Sequence, residues 1–90
     1  MELKPFDFYQ WNKDRTQDVY SRSGKRISSL HYFKDVPHVN GNYCFAGIIP
    51  NDGLSKSYIY IWNYEGYANN CGDYCNQFKF DSDLMLEDKE

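Results

Sequence analysis

The chain is poor in the aliphatic residues from which most small domains build a core. Leu, Ile and Val number thirteen among 90 residues, and the six Phe bring the total only to about a fifth, close to the compositional border of disorder. No apolar run approaches the ~18 residues of a membrane-spanning helix, which excludes that class. The three cysteines, Cys44, Cys71 and Cys75, form an odd set with no C-x-x-C pair. That count speaks against a disulfide framework, and the order His31, His38, Cys71, Cys75 fits no familiar structural zinc spacing. Free reduced thiols are expected, with Cys44 buried in a strand. Glycine-rich phosphate loops, Walker patterns and a nucleophile elbow are also missing, so neither cofactors nor metals are expected.

What is there is aromatic. Nine Tyr, six Phe and two Trp make up 19% of the chain. Each ring can bury roughly 150–250 Å², enough to replace the scarce aliphatics. A chain this short forms one domain over residues 1–90 and buries about 60–65% of its unfolded surface, which excludes a multidomain enzyme. The segment MELKPFDFYQW lacks the layout of a signal peptide, so the expectation is a soluble, cytoplasmic protein without membrane association.

Charge is unevenly spread. The net −3 divides into +2 over residues 1–45 and −5 over residues 46–90. The last ten residues alone contribute −5 and +1, and the end of the chain, about 87–90, reads as a solvated acidic tail. The basic footprint is confined to Arg15, Arg22, Lys25 and Arg26, too little for a strong phosphate-neutralising surface.

Along the chain, Asp7 can cap a short helix over residues 7–13, with Phe8 and Trp11 on one face. Ser23-Gly24 lies between two segments with strand character and predicts a hairpin with strands near 17–22 and 25–33. NYCFAGII from Asn42 reads as a central strand covered on both sides. After the turn region PNDGLSKS, YIYIWN alternates two sets of side chains. Ile59 and Ile61 are assigned to the core and the rings Tyr58, Tyr60 and Trp62 to the other face. A last short strand is expected at 77–80 or 83–86. The fold class is therefore mainly β, a β-rich α+β arrangement: a small twisted antiparallel sheet or partly open barrel of about five strands with one short N-terminal helix. The exposed edges of so small a sheet make homo-oligomerisation one way of protecting it.

The candidates for chemistry are few. Ser29 and His31 share a strand face, but no orienting group completes a catalytic set. Asp81 and Asp83 pair carboxylates in what reads as a solvated tail. The Tyr58, Tyr60, Trp62 stripe is the most informative feature. Such stripes either stack bases, at roughly 1–3 kcal/mol per ring, or pack as a second core face against Phe6, Phe8 and Trp11. With Arg22, Lys25 and Arg26 for phosphates, these rings are the candidate binding residues.

The order of segments resembles a family of small phage and prophage proteins of gut Bacteroidales. The resemblance is carried by Lys4-Pro5-Phe6-Asp7, Val19 to Arg26 with Arg22-Ser23-Gly24-Lys25, the strand from Tyr43 to Ile49, Trp62-Asn63-Tyr64-Glu65-Gly66-Tyr67, and Asp83-Leu84-Met85-Leu86. The stretch 67–80, with Cys71 and Cys75, is longer than in that pattern, and Leu86 departs from it. The resemblance implies a phage or prophage origin, a compact β domain and the cytoplasm of a bacterial host, and it brings no known activity. The resulting expectation is a non-enzymatic binding module, an accessory or counter-defence factor that binds a host or phage protein. The alternatives are nucleic-acid or small-nucleotide binding through the aromatic surface, and a small hydrolase or metal enzyme using His31 or the cysteines.

Overall fold

A computed structural model describes residues 2–39, 41–50, 58–68 and 81–88. Within them the chain runs through β1 (Glu2–Pro5), α1 (Phe8–Lys13), β2 (Val19–Ser21), β3 (Ser28–Tyr32), β4 (Phe45–Ile49), β5 (Tyr58–Trp62) and β6 (Leu84–Asp88). These six strands form two three-stranded antiparallel sheets, in the orders β1-β6-β2 and β3-β4-β5, with no closed barrel among the described residues. The mainly β class and the short N-terminal helix are as the sequence indicates. The difference lies in partition: six strands in two sheets, where about five in one sheet or an open barrel were expected.

The split occurs at the predicted hairpin. Gly24, at φ 93°, turns the chain, and the backbone N–H of Ser21 and of Ile27 donate to Lys25 O and Val19 O at 2.7 and 2.8 Å. A single bridge joins Tyr20 to Arg26. The returning strand then leaves its partner. Ser29 adopts φ 55° where the β3–β4 register shifts between Ser28 and His31. Such a bulge sharpens twist and re-aims a strand, here within β3; the passage from the first sheet to the second falls just before it, between Arg26, bridged to Tyr20, and Ser28, already paired with Ile48.

Helix α1 follows from local chemistry. The Asp7 carboxylate accepts from the backbone N–H of Tyr9 and Gln10, supplying partners for otherwise orphaned donors. The helix buries Trp11. Trp11 packs edge-on against Phe45 at 5.1 Å between centroids, and Phe8 lies 5.2 Å from Tyr32. Aromatic residues thus fill the space between helix and second sheet at the tilted and edge-on angles that ring quadrupoles favour.

One core joins both sheets. Val19, Leu84 and Leu86 come from the first, Phe45, Ile49 and Trp62 from the second, and Phe6, Trp11, Ile27 and Cys44 from the connecting segments. Strand β6 is the centre of the first sheet, flanked by β1 and β2, and its residues Leu84, Met85 and Leu86 are all buried. It corresponds to the 83–86 alternative for the last strand. Of the tail expected at 87–90, Glu87 and Asp88 pair with Leu3 and Glu2, and residues 89–90 lie outside the described residues. The turn 51–57, the 77–80 alternative and Cys71 and Cys75 lie outside the described residues.

Candidate functional site

Strand β4 is central, as expected, but its two faces differ. Phe45, Gly47 and Ile49 are buried, while Ala46 and Ile48 are half-exposed. Register carries this onto β5, where Trp62, Tyr60 and Tyr58 stand opposite the first set and Ile61 and Ile59 opposite the second. The core assignment made for Ile59 and Ile61 is therefore reversed: they are 77% and 46% exposed, whereas Trp62 is fully buried. Alternation places the two sets on opposite faces without saying which turns inward. Packing decides it. The larger apolar area of the indole goes inside, with its Nε1–H donating to Ser82 O at 2.7 Å. The absence of a side chain at position 47 makes room, since a Cβ there would stand 3.3 Å from the indole and 2.9 Å from Ile27 Cγ2.

The three rings thus form a gradient. Tyr58 is half-exposed, Tyr60 partly buried and Trp62 inaccessible, with Tyr60 stacked on Trp62 at 6.2 Å. Only Tyr58 and Tyr60 present ring surface to a ligand.

The basic candidates also separate. Arg22 Nη2 lies 3.3 Å from Asp83 Oδ2, and that carboxylate is 1% exposed. Asp83 Oδ1 accepts from the backbone N–H of Ala68 at 2.8 Å. Asp83 is therefore no part of a solvated tail but a buried anchor, paired with a residue 61 positions away. Arg26 meets Asp18 at 3.7 Å on the open surface. Lys25 is half-buried and, among the described residues, has no ion-pair partner. It lines an open cleft of about 270 Å³ together with Ser23, Ile49, Tyr60, Asp81 and Ser82. One predicted ring and one predicted cation are thereby brought together, while Arg22 and Arg26 engage carboxylates.

The histidines take two roles. His31 is exposed and packs edge-on against Phe33 at 4.4 Å, on the same outer side as Ile59 and Ile61. His38, read from the sequence only as a loop residue, sits among rings. It stacks on Tyr64 at 5.3 Å, meets Phe8 edge-on at 4.6 Å, and hydrogen-bonds through Nε2 to the Tyr32 hydroxyl at 2.6 Å. Burial, reinforced by the neighbouring Cys44 and opposed by Arg15, raises the Tyr32 phenol above its usual range. The hydroxyl therefore keeps its proton at neutral pH. Proximity between positions 8, 38 and 64 depends on loop closure and leaves no periodic signal in sequence.

Cys44 is a free, buried thiol immediately before β4, and desolvation pushes its pKa up to about 11. A variant with Cys71 and Cys75 both changed to serine is expected to resist a thiol-reactive dye at pH 8 and to label readily in urea. The native rate should fall at least ~100-fold below that of the unfolded chain, since only the thiolate attacks. Labelling counted by mass spectrometry with and without urea checks this.

Among the described residues no three His, Cys, Asp or Glu side chains converge as metal ligands, and none of the described helices is long and apolar enough to cross a membrane. Comparison with family models, curated proteins and solved structures found no match. The chemistry of the surface therefore rests on its own residues: an apolar outer sheet face, a strand without a second neighbour among the described residues, and a small cleft holding a ring and a cation.

Proposed function

We propose that this protein is a non-enzymatic binding module that takes an extended segment of a partner protein onto β5. The observation that carries the reading is the pair of exposed isoleucines, Ile59 and Ile61, on a strand that among the described residues stands at the edge of its sheet. The two outer strands of this sheet, among the described residues, differ. Strand β3 carries the bulge and the left-handed Ser29, devices that discourage further pairing. The YIYIW sequence of β5 contains no charge, proline or bulge. An incoming strand would gain main-chain hydrogen bonds there and set alternate aliphatic side chains beside Ile59 and Ile61, each cross-strand pair contributing about 0.2–1 kcal/mol. The resemblance to phage-borne proteins directs the search for this strand to host proteins, as expected of an accessory or counter-defence factor.

Changing both Ile59 and Ile61 to Glu is expected to weaken partner capture from bacterial lysate at least ~10-fold, leaving the far-ultraviolet spectrum and urea midpoint near wild type. Val39→Glu, at an exposed apolar residue of a loop, serves as control and should leave capture unchanged. Undiminished capture by the double variant would remove β5 as the recognition strand. Sedimentation velocity on the purified chain tests the remaining occupant, since self-association abolished by the same variant makes the partner a second copy.

A further inference from the structure

We propose that the cleft between the Ser23–Lys25 turn and β5 binds a nucleobase bearing a phosphate, with the base on Tyr60 and the phosphate on Lys25. The inference is independent of strand capture at the β5 edge, because it uses the opposite, inward face of that strand.

Three observations converge. The first concerns charge. Of the three cationic side chains in the hairpin, Arg22 is engaged by Asp83 and Arg26 by Asp18, while Lys25, half-buried, is without a carboxylate partner among the described residues. A lysine whose stem is packed at the mouth of a cleft holds its ammonium there with less freedom to lose, and an anionic ligand gains a charge-assisted hydrogen bond from it. The second concerns shape. The cleft, of about 270 Å³, has an aromatic wall in Tyr60 and an aliphatic one in Ile49. That volume lies near the lower end of small-ligand pockets, and ring plus aliphatic surface suits a flat heteroaromatic group. The Tyr60 ring is held from behind by Trp62, so little side-chain freedom remains to be lost on stacking.

The third concerns the polar rim. Ser23, Asp81 and Ser82 border the cleft. The backbone carbonyls of Asp81 and Ser82 already accept from Ser23 N–H and the Trp62 indole, at 3.1 and 2.7 Å. These bonds fix the rim and leave the Asp81 carboxylate as an acceptor for sugar hydroxyls or exocyclic amines. An aromatic ring, an anion and hydrogen-bond donors in one small ligand describe a nucleoside monophosphate, free or at the 5′ end of a nucleic-acid strand. Tyr58, one step along the same strand face and 50% exposed, lies where a second base of such a strand would stack.

The test uses the full-length, isotopically labelled chain and backbone amide shifts. AMP, GMP, CMP and UMP, short 5′-phosphorylated oligonucleotides, the corresponding nucleosides and inorganic phosphate are each titrated to millimolar concentration. Saturable shifts at Ser23, Lys25, Ile49, Tyr60, Asp81 and Ser82 with the phosphorylated ligands are expected, with nucleosides and Lys25→Gln each weaker by about 10-fold or more. Tyr60→Leu should remove the preference for nucleotides over inorganic phosphate, and Arg26→Gln should change affinity less than twofold. Saturation by mononucleotides identifies the free ligand as the source, and saturation by 5′-phosphorylated oligonucleotides alone identifies a strand end. Absence of saturable shifts at these residues, equal response to inorganic phosphate and nucleotides in wild type, or undiminished binding by Lys25→Gln would overturn the proposal. Urea midpoints near wild type for Lys25→Gln show that its loss of binding reports contact rather than unfolding.

Discussion

Trp62→Ala is expected to lower the free energy of unfolding by about 3–5 kcal/mol, the range for deleting a fully buried large aromatic side chain. A chain of 90 residues has roughly 5–13 kcal/mol to lose, so this one change brings the protein near the limit of folding. The magnitude follows from how many elements meet at the indole. It faces Phe45 across the β4–β5 ladder, backs Tyr60, and reaches the segment leading into β6 through its bond to Ser82 O. Trp62→Phe separates the contributions. Phenylalanine keeps most of the volume but leaves the part-buried Ser82 carbonyl without the indole donor, and about 1–2 kcal/mol should be lost. Urea denaturation followed by far-ultraviolet circular dichroism measures both variants, and a loss below 1 kcal/mol for Trp62→Ala would show that the site collapses around the missing ring.

Asp83→Ala is expected to cost a similar ~3–5 kcal/mol, by a different mechanism. Alanine removes a buried carboxylate that accepts two hydrogen bonds, one of them from a guanidinium, and bonds to a charged group contribute about 1.5–3 kcal/mol each. The bond from Ala68 N–H ties down the segment after the Tyr64–Gly66 turn, so its loss loosens that segment as well as the contact with Arg22. Asp83→Asn retains an acceptor for Ala68 while discarding the charge, and a smaller loss of about 1.5–3 kcal/mol follows. Arg22→Met, of similar length and apolar, leaves the nearly inaccessible Asp83 carboxylate charged without its guanidinium and should therefore cost more than Asp83→Asn, which discards the charge itself. The three urea midpoints, measured together, give this order or refute it.

Features that depend on neighbouring residues could be read from the sequence. Asp7 caps the helix because its carboxylate needs only donors two and three positions ahead, and Gly24 turns the chain because the conformation is intrinsic to the residue. Strands β4 and β5 announce themselves by their content of aromatic and branched side chains. The features missed depend on what lies across the core. Whether β5 turns its isoleucines or its rings inward is decided by the vacancy above Gly47 and the acceptor at Ser82, both remote in sequence. Asp83 sits in an acidic stretch that looks solvated until Arg22 and Ala68 are placed around it. Strand β1 went unrecognised because Glu2–Pro5 acquires strand character only by pairing with β6. For the candidate cleft, Tyr60 and Lys25 were visible as a ring and a cation, but the carboxylates that engage Arg22 and Arg26, and so single out Lys25, were not.

The placement of β6 sets the timetable for assembly. Strands β1 and β2 do not pair with each other; each is held by β6, which is synthesised after every other described strand. During translation the β3-β4-β5 meander, with its short-range pairings, can form first. Both flanks of the first sheet must wait for a strand more than sixty residues downstream of either. Loop-closure entropy makes such distant pairing the slow step, so completion of the native state should come late, with β1 and β2 exposed to chaperones and proteases until β6 has emerged from the ribosome.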